Sequence, residues 1–268
     1  MLCGAVCSLL VLSAPALAPD GSELTATFPF HDAELLDPGQ TQGGLVFVPA
    51  SVDPRRRAPL VVFLHGVNDA RALHLHLRDG DDDLRVLARS LSGTTTEPFI
   101  VAAPSHVRGA DAAELLFPRF DLDELVDASE RALGDRARID RDRVVVVGHS
   151  GGGCNPTGGM IRVALGDANG GVRPFAYVAS DTCLGSYVAD ALDHAAKTAK
   201  VRVFWQTWMW PRSSEAFKRS FCDRADTGRD VRCDVLPLTG ADAHEHSLVV
   251  GLGRVLPELL AAPKSARP

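Results

Sequence analysis

The sequence lacks both an excess of positive charge and a long hydrophobic run. Its 268 residues carry 28 Lys and Arg against 34 Asp and Glu, which gives a net charge of −6. This balance gives no reason to expect nucleic acid or an anionic membrane as a partner. The apolar N-terminal run, Met1–Ala18, is shorter than the about 20 residues that a membrane span needs. We therefore expect no membrane span.

Motifs for cofactors and metals are also missing. The chain has no phosphate-binding loop, no dinucleotide-binding glycine pattern and no His/Cys spacing typical of a metal site. The acidic stretch Asp79–Asp83 lacks the spaced ligands and the following Glu of a calcium loop, and it fits the solvated start of a helix. We expect neither a cofactor nor a metal ion.

The N-terminal run itself has the composition of a leader. Met1–Ala18 has no charged side chain and ends on Ala16-Leu17-Ala18, the small-x-small pattern that signal peptidase prefers. It departs from the usual pattern because no Lys or Arg precedes the apolar core. We predict a signal peptide over residues 1–18, a single domain over 19–268, and a secreted or periplasmic protein. The alternative is a frayed apolar N-terminus.

Four cysteines remain if the leader is removed: Cys154, Cys183, Cys222 and Cys233. An even number of cysteines in an exported protein favours disulfide pairing. Cys222 and Cys233 flank a short polar stretch, so we predict that they close a loop. Without export, the alternative is four free buried thiols.

Apolar segments alternate with helical patterns along the chain. We predict strands at 43–49, 59–66, 98–104, 144–147, 174–180, 201–208 and 231–238. We predict helices at 81–92, within 121–133, after residue 150, at 187–199 and 213–221, and from 248 with a kink or break at Pro257. Continuous apolar strands are covered on both faces, and alternation with helices makes the sheet mostly parallel. Ligands in such sheets bind at the carboxyl ends of the strands.

One strand end carries a chemical motif. Gly148-His149-Ser150-Gly151-Gly152 follows the Val144–Val147 run and fits G-x-S-x-G, the nucleophile elbow. A serine in such a turn projects its hydroxyl above the sheet, and small neighbours are needed for the turn to close. The helix predicted after the turn points amides at charge that develops beside Ser150.

These segments make the chain similar to the α/β-hydrolases over nearly all of the mature sequence. "FLHG" at 63–66 resembles the oxyanion loop of that family, which implies that the amides of Val67 and Gly151 hold an oxyanion. "RIDRDRVVVVGHSGGG" at 138–153 resembles secreted esterases of the polyhydroxyalkanoate-depolymerase and feruloyl-esterase kinds. The implied fold is α/β, with helices on both faces of a mostly parallel sheet. The few residues between Ser180 and the next helix leave no room for a large lid.

The resemblance also predicts where a histidine base lies. The family order is serine, acid, histidine, with the histidine after the last strand, where this chain has His244 and His246. "EHSLV" at 245–249 resembles the esterase pattern, so we prefer His246 and assign His244 to the pocket. His65 and His149 belong to their own loops and are candidate pocket residues.

The acid is harder to assign. The family usually has it just after the strand predicted at 201–208, but "WMWPRSS" at 208–214 contains no carboxylate. Asp181, at the preceding strand end, and Glu215, in the next helix, remain as candidates. We favour Asp181, although a helix-capping role would explain it equally well.

The ends of three predicted strands also carry cysteines or tryptophans. Cys154 follows the serine turn and Cys183 follows Asp181, so we predict a disulfide between these two neighbouring strands. Trp208 and Trp210 are candidate pocket residues, with packing at the core or rim as the alternative.

Together these features predict a secreted serine hydrolase that cleaves carboxylic esters through an acyl-enzyme on Ser150. The substrate is a small-molecule or polymer ester. A serine peptidase or acyltransferase would use the same residues, since the triad does not specify what resolves the acyl-enzyme. A catalytically inactive binding protein on this fold is the alternative from another class.

Overall fold

The structure is a computed structural model, and it describes residues 22–30, 42–80, 82–92, 96–107, 113–166, 171–208, 211–224 and 228–261. The predicted signal peptide and Trp210 lie outside these residues. The described residues form eight strands: β1 (Leu24–Phe28), β2 (Gly44–Val48), β3 (Arg57–Leu64), β4 (Ile100–Pro104), β5 (Arg138–His149), β6 (Ala176–Ser180), β7 (Lys200–Gln206) and β8 (Val231–Leu236). Six α-helices accompany them: α1 (Leu84–Leu91), α2 (Leu122–Leu133), α3 (Gly159–Ala164), α4 (Ser186–Ala195), α5 (Pro211–Ser220) and α6 (Ala243–Leu259).

All eight strands form one sheet in the order β1-β2-β4-β3-β5-β6-β7-β8. β2 pairs antiparallel with β1 and β4, and the remaining neighbours are parallel. The predicted, mostly parallel sheet is therefore confirmed. The short strand β1 was not predicted from the sequence.

Alternate residues of the central strands supply two separate cores. Val144 and Val146 of β5 pack in one core, together with residues of α2, α3 and α4. Val145 and Val147 face the opposite core, with residues of α1 and α6. All four valines are completely buried, which explains why β5 has no polar residue in this stretch.

Two helix predictions need correction. The turn after Ser150 is a short 3₁₀ helix, Ser150–Gly153, and the α-helix α3 begins only at Gly159. The last helix begins at Ala243, five residues before the predicted start, and Pro257 lies inside it without ending it. Pro257 falls in the final turn, where little helix remains to be disrupted.

Both predicted cysteine pairs are at disulfide distance. The sulfur atoms of Cys154 and Cys183 are 2.12 Å apart, and those of Cys222 and Cys233 are 2.13 Å apart. The first pair joins the turn after β5 to the loop after β6, and the second joins the segment after α5 to β8.

No helix in the described part of the chain has the length and apolar character to cross a membrane.

Two glycines of α6 should respond in opposite ways to substitution by alanine. A Cβ on Gly251 would lie 2.0 Å from Cε2 of Phe204, whereas a Cβ on Gly253 would first meet Cδ1 of Leu87 at 3.9 Å. We expect Gly251→Ala to lower the free energy of unfolding by about 1–3 kcal/mol because it overpacks the core. Gly253→Ala should raise it by up to about 1 kcal/mol through helix propensity. Urea unfolding measures both, and equal effects would contradict the packing of α6 on β7.

The disulfides should be detectable in secreted protein. Non-reducing peptide mapping should recover Cys154 linked to Cys183 and Cys222 linked to Cys233. Loop closure predicts that removing either bridge costs about 3 kcal/mol of unfolding free energy, so Cys222→Ser/Cys233→Ser should unfold at a lower urea concentration. Four free thiols in secreted material would refute both pairings.

Candidate active site

Ser150 directly follows the last residue of a central strand. β5 ends at His149 between β3 and β6, and Ser150 then adopts φ 50°, in the left-handed region. A serine in this region is strained, and such strain persists only where the surroundings enforce it. The side chain is half-buried. This geometry is the predicted elbow.

Two glycines make room for this turn. A Cβ on Gly152 would lie 2.1 Å from the carbonyl oxygen of Leu64, so the turn can pack on β3 only with a bare residue there. A Cβ on Gly66 would lie 2.5 Å from Cβ and 2.8 Å from Oγ of Ser150. The loop after β3 therefore passes directly against the serine side chain.

Val67 and Gly151, the predicted oxyanion residues, border the same space as Ser150. All three line a cavity of about 460 Å³ at the carboxyl edge of the sheet. Gly151 N would be 3.4 Å from a Cβ on Gly66, so the two candidate backbone segments lie close together.

Asp181 follows β6 at the same level of the sheet as Ser150 follows β5. His149 of β5 is paired with Ser180 of β6, so the next residue of each strand emerges at the same edge. Asp181 also has a positive φ of 42°, and its amide donates to the Phe204 carbonyl at 2.7 Å. Only 3% of the residue is exposed.

The Asp181 carboxylate accepts three hydrogen bonds. Nδ1 of His244 lies 2.7 Å from Oδ2, the side-chain amide of Gln206 donates to Oδ2 at 3.0 Å, and its backbone amide donates to Oδ1 at 3.3 Å. A carboxylate only accepts hydrogen bonds, so Nδ1 of His244 carries the proton. In the neutral ring the lone pair is then on Nε2. Sequence reasoning did not identify Gln206. The signal that could have found it is its position at the end of β7, the strand that pairs with β6.

The preference for His246 as the partner of Asp181 is corrected to His244. A helix that began at residue 248, as predicted, would leave both histidines in a loop, but α6 already begins at Ala243. Two residues along a helix differ by about 200° in direction, so the two rings point away from each other. His244 is half-buried against Asp181, whereas His246 is exposed. The competing acid, Glu215, is exposed on α5.

Besides His244, two other histidines were predicted as pocket residues, and both lie beneath the site instead. His65 is 1% exposed, with Nδ1 2.7 Å from the Gly66 carbonyl and Nε2 accepting from the His106 amide at 2.9 Å. Burial lowers the pKa of His65 to about 3, so its neutral ring anchors the Gly66 loop. His149 stacks on His244 with ring centroids 4.8 Å apart, and burial lowers its pKa well below the ordinary value. Neither ring is among the described residues that line the cavity.

The disulfide Cys154–Cys183 ties the serine turn to the Asp181 loop. Thr182 between them donates from Oγ1 to the Ser150 carbonyl at 2.6 Å, and Tyr187 donates to the Cys154 carbonyl at 2.9 Å.

Trp208 is 59% exposed and does not border the cavity in the described part of the chain. The cavity is lined by Val67, Ala113, Ser150, Gly151, Cys154, Asp181, Thr182, Cys183, Leu184, Gly185, Tyr187 and Gln206.

A larger cavity of about 640 Å³ lies at the other edge of the sheet. Its lining includes Pro174, Phe175 and Thr198, which precede β6 and β7. This is the amino edge of the parallel strands, opposite to the edge where Ser150 and Asp181 emerge. We therefore take the smaller cavity as the candidate active site.

Solved structures resemble this fold, although no family model and no curated protein matches the sequence. Fluorophosphonate-binding serine hydrolase F of Staphylococcus aureus aligns with a TM-score of 0.59 at 11% identity, over 90% of this chain and 99% of its own. A mutant feruloyl esterase module from Clostridium thermocellum, complexed with sinapinate, gives 0.57 at 12% over 92% and 93%. The S-formylglutathione hydrolase of Staphylococcus aureus gives 0.57 at 14% over 91% and 100%. With the strand order, these likenesses show that the chain has the α/β-hydrolase fold.

Proposed function

We propose that the protein is a serine hydrolase that cleaves carboxylic esters through an acyl-enzyme on Ser150. The observation that carries the proposal is the 2.7 Å contact between Asp181 and Nδ1 of His244, at the sheet edge where Ser150 emerges in a strained turn. A serine needs an adjacent base, and the base needs a group that orients it. The structural neighbours include proteins described as a feruloyl esterase and as serine hydrolases.

In the first half-reaction, Ser150 Oγ attacks the ester carbonyl carbon while Nε2 of His244 takes the hydroxyl proton. The Asp181 carboxylate holds the ring with the Nδ1 proton toward itself and stabilises the imidazolium that forms. The C–O bond to the alcohol then breaks, and His244 returns the proton to the departing oxygen. The acyl group stays on Ser150.

The second half-reaction uses water. His244 takes a proton from the water molecule, the hydroxide oxygen attacks the acyl carbon, and Oγ of Ser150 leaves with the proton that His244 returns. In both halves the amides of Val67 and Gly151 donate to the oxyanion of the tetrahedral intermediate. Such donors contribute most where water is excluded and their direction is fixed.

Gln206 has a positioning role in this scheme. Its two N–H groups hold both oxygens of the Asp181 carboxylate, so the carboxylate keeps its orientation while the imidazole changes charge. Three hydrogen bonds also offset the cost of burying the ionised group.

Esters of small molecules or of accessible polymer side groups suit the site. The cavity of about 460 Å³ is within the range of small-molecule pockets, and apolar residues such as Leu184 and Ala113 form much of its wall. The protein acts outside the cytoplasm, since disulfides persist in oxidising compartments and the N-terminal run has the features of a leader.

Replacement of Ser150 tests the proposal directly. Ser150→Ala should lower kcat/KM for p-nitrophenyl acetate by roughly 10⁴- to 10⁶-fold, because no other group can form the acyl-enzyme. The melting temperature and far-UV circular dichroism should match those of the wild type. Activity within about tenfold of the wild type would end the hydrolase assignment.

The two histidines of α6 form a matched pair. His244→Ala should lose on the order of 10⁴-fold in kcat, because it removes the base that Asp181 orients. His246→Ala should stay near wild type, since its ring points to solvent. The measurement is steady-state hydrolysis of the same ester by both variants.

The acids provide the control. Asp181→Asn should approach the loss seen for His244→Ala, and Glu215→Gln should behave like His246→Ala. If His246→Ala is the more damaging histidine variant, or Glu215→Gln the more damaging acid variant, the triad assigned to Ser150, His244 and Asp181 is wrong.

A further inference from the structure

A second cluster of ligand-type side chains lies beside the triad. His76, His149 and Glu245 each direct one nitrogen or oxygen atom into a common space, and these atoms lie within 4.8 Å of one another. We propose that this cluster binds a divalent transition-metal ion, with Zn²⁺ as the best match. Two imidazoles and one carboxylate form a known zinc ligand set that leaves a fourth position for water.

His76 is already held in a ligand orientation. Its Nδ1 lies 2.5 Å from Oδ2 of Asp82, and its Nε2 lies 3.6 Å from Oε2 of Glu245. Metal-binding histidines commonly have a carboxylate beside their other ring nitrogen, and Asp82 occupies that place beside Nδ1 of His76. Tetrahedral zinc with bonds of about 2.0–2.1 Å separates its ligand atoms by roughly 3.4 Å, so His76 and Glu245 have nearly the required spacing.

His149 is the second buried imidazole of the cluster, and one of its ring nitrogens lacks a hydrogen-bond partner in the described part of the chain. The residue is 1% exposed, and its Nδ1 has no hydrogen-bond partner among the described residues. Its ring meets that of His76 edge-on, with centroids 5.5 Å apart. Buried polar atoms without a partner are rare because they lose hydration without compensation. A metal ion ligated by this ring offers one explanation for a second imidazole packed against His76.

Glu245 gives the ion a way in. Its side chain is 52% exposed, whereas the His76 and His149 side chains are buried. The carboxylate is at the third residue of α6, where a negative charge is also favoured by the helix dipole. This exposed side chain can change rotamer, so it can adjust its carboxylate to an ion between the two buried imidazoles.

The proposed ion joins three distant parts of the chain: the segment before α1, the end of β5 and the first turn of α6. Glu245 follows His244 in sequence, and His149 stacks on the His244 ring. Bound metal therefore fixes the helix turn that carries His244, and it takes no step in ester cleavage. A ligand that binds only the folded state also raises the melting temperature.

Titration of the chelator-treated, full-length protein with ZnCl₂ tests the site by calorimetry and thermal unfolding. The wild type should bind one Zn²⁺ at this site and melt at a higher temperature with Zn²⁺ than without it. Glu245→Gln should weaken binding at least about tenfold, because it removes one of three ligands, and should reduce the thermal shift at the same Zn²⁺ concentration. Asp82→Asn should weaken binding by about 10–100-fold, the usual effect of losing a carboxylate behind a histidine ligand.

Glu124→Gln is the matched control. Glu124 is the third residue of α2, as Glu245 is of α6, so both substitutions remove the same charge from the same helix position. The control should bind Zn²⁺ like the wild type. Equal Zn²⁺ binding by Glu245→Gln and Glu124→Gln, or no binding by the wild type, would overturn the proposal. Wild-type affinity in Asp82→Asn would overturn the role given to Asp82.

Discussion

The hydrogen bond between Asp181 and His244 joins the end of β6 to the first turn of α6, and the candidate active site depends on it. Asp181 also lies beside Ser150, because the residues that follow neighbouring parallel strands emerge at the same edge of the sheet. His149 and Ser180 are paired across β5 and β6, so Ser150 and Asp181 leave the sheet side by side. Ser150 and Asp181 both have a positive φ, so the chain turns sharply at the end of each strand. The disulfide Cys154–Cys183 then fixes the distance between the two turns.

Beneath this edge, buried histidines take the place that aliphatic residues occupy elsewhere in the core. His65, His76 and His149 are each less than 5% exposed. Burial lowers the pKa of His65 and of His149, so the rings of these two residues remain neutral at physiological pH. Their ring nitrogens are directional, which aliphatic side chains are not: His65 anchors the Gly66 loop, and His149 supports the ring of His244.

Much of this arrangement could be predicted from the sequence. The apolar runs identified seven of the eight strands, and the glycines around Ser150 identified the elbow. The absence of a carboxylate after β7 left Asp181 as the better of two acids, and strand adjacency predicted Cys154–Cys183. The strand and cysteine-pair predictions are confirmed because each depends on a local pattern or on the order of strands in a parallel sheet, and the catalytic roles stay predictions.

Part of the rest had a local signal that the prediction passed over. Asp242 and Glu245 form the Asp-x-x-Glu pattern of a helix start, but the predicted helix followed the apolar run from Leu248 and so began five residues too late. That error, together with the resemblance of residues 245–249 to the esterase pattern, favoured His246 over His244. The remaining features depend on contacts that no local pattern reveals. Gln206 carries no chemical signature in sequence, and the approach of His76 to Glu245 joins residues far apart in the chain. In the same way, β1 is short and half-exposed, so it lacks the apolar run that identified the other strands.

The central claim is that the site activates Ser150 as a nucleophile, and covalent labelling tests it most directly. The folded protein is treated with a fluorophosphonate probe, digested and mapped by mass spectrometry, with heat-denatured protein as the control. We expect one adduct, on the peptide that contains Ser150, and we expect it to be absent from the denatured sample and from Asp181→Asn at short labelling times. No adduct on the folded protein, or an adduct on another serine, would contradict it.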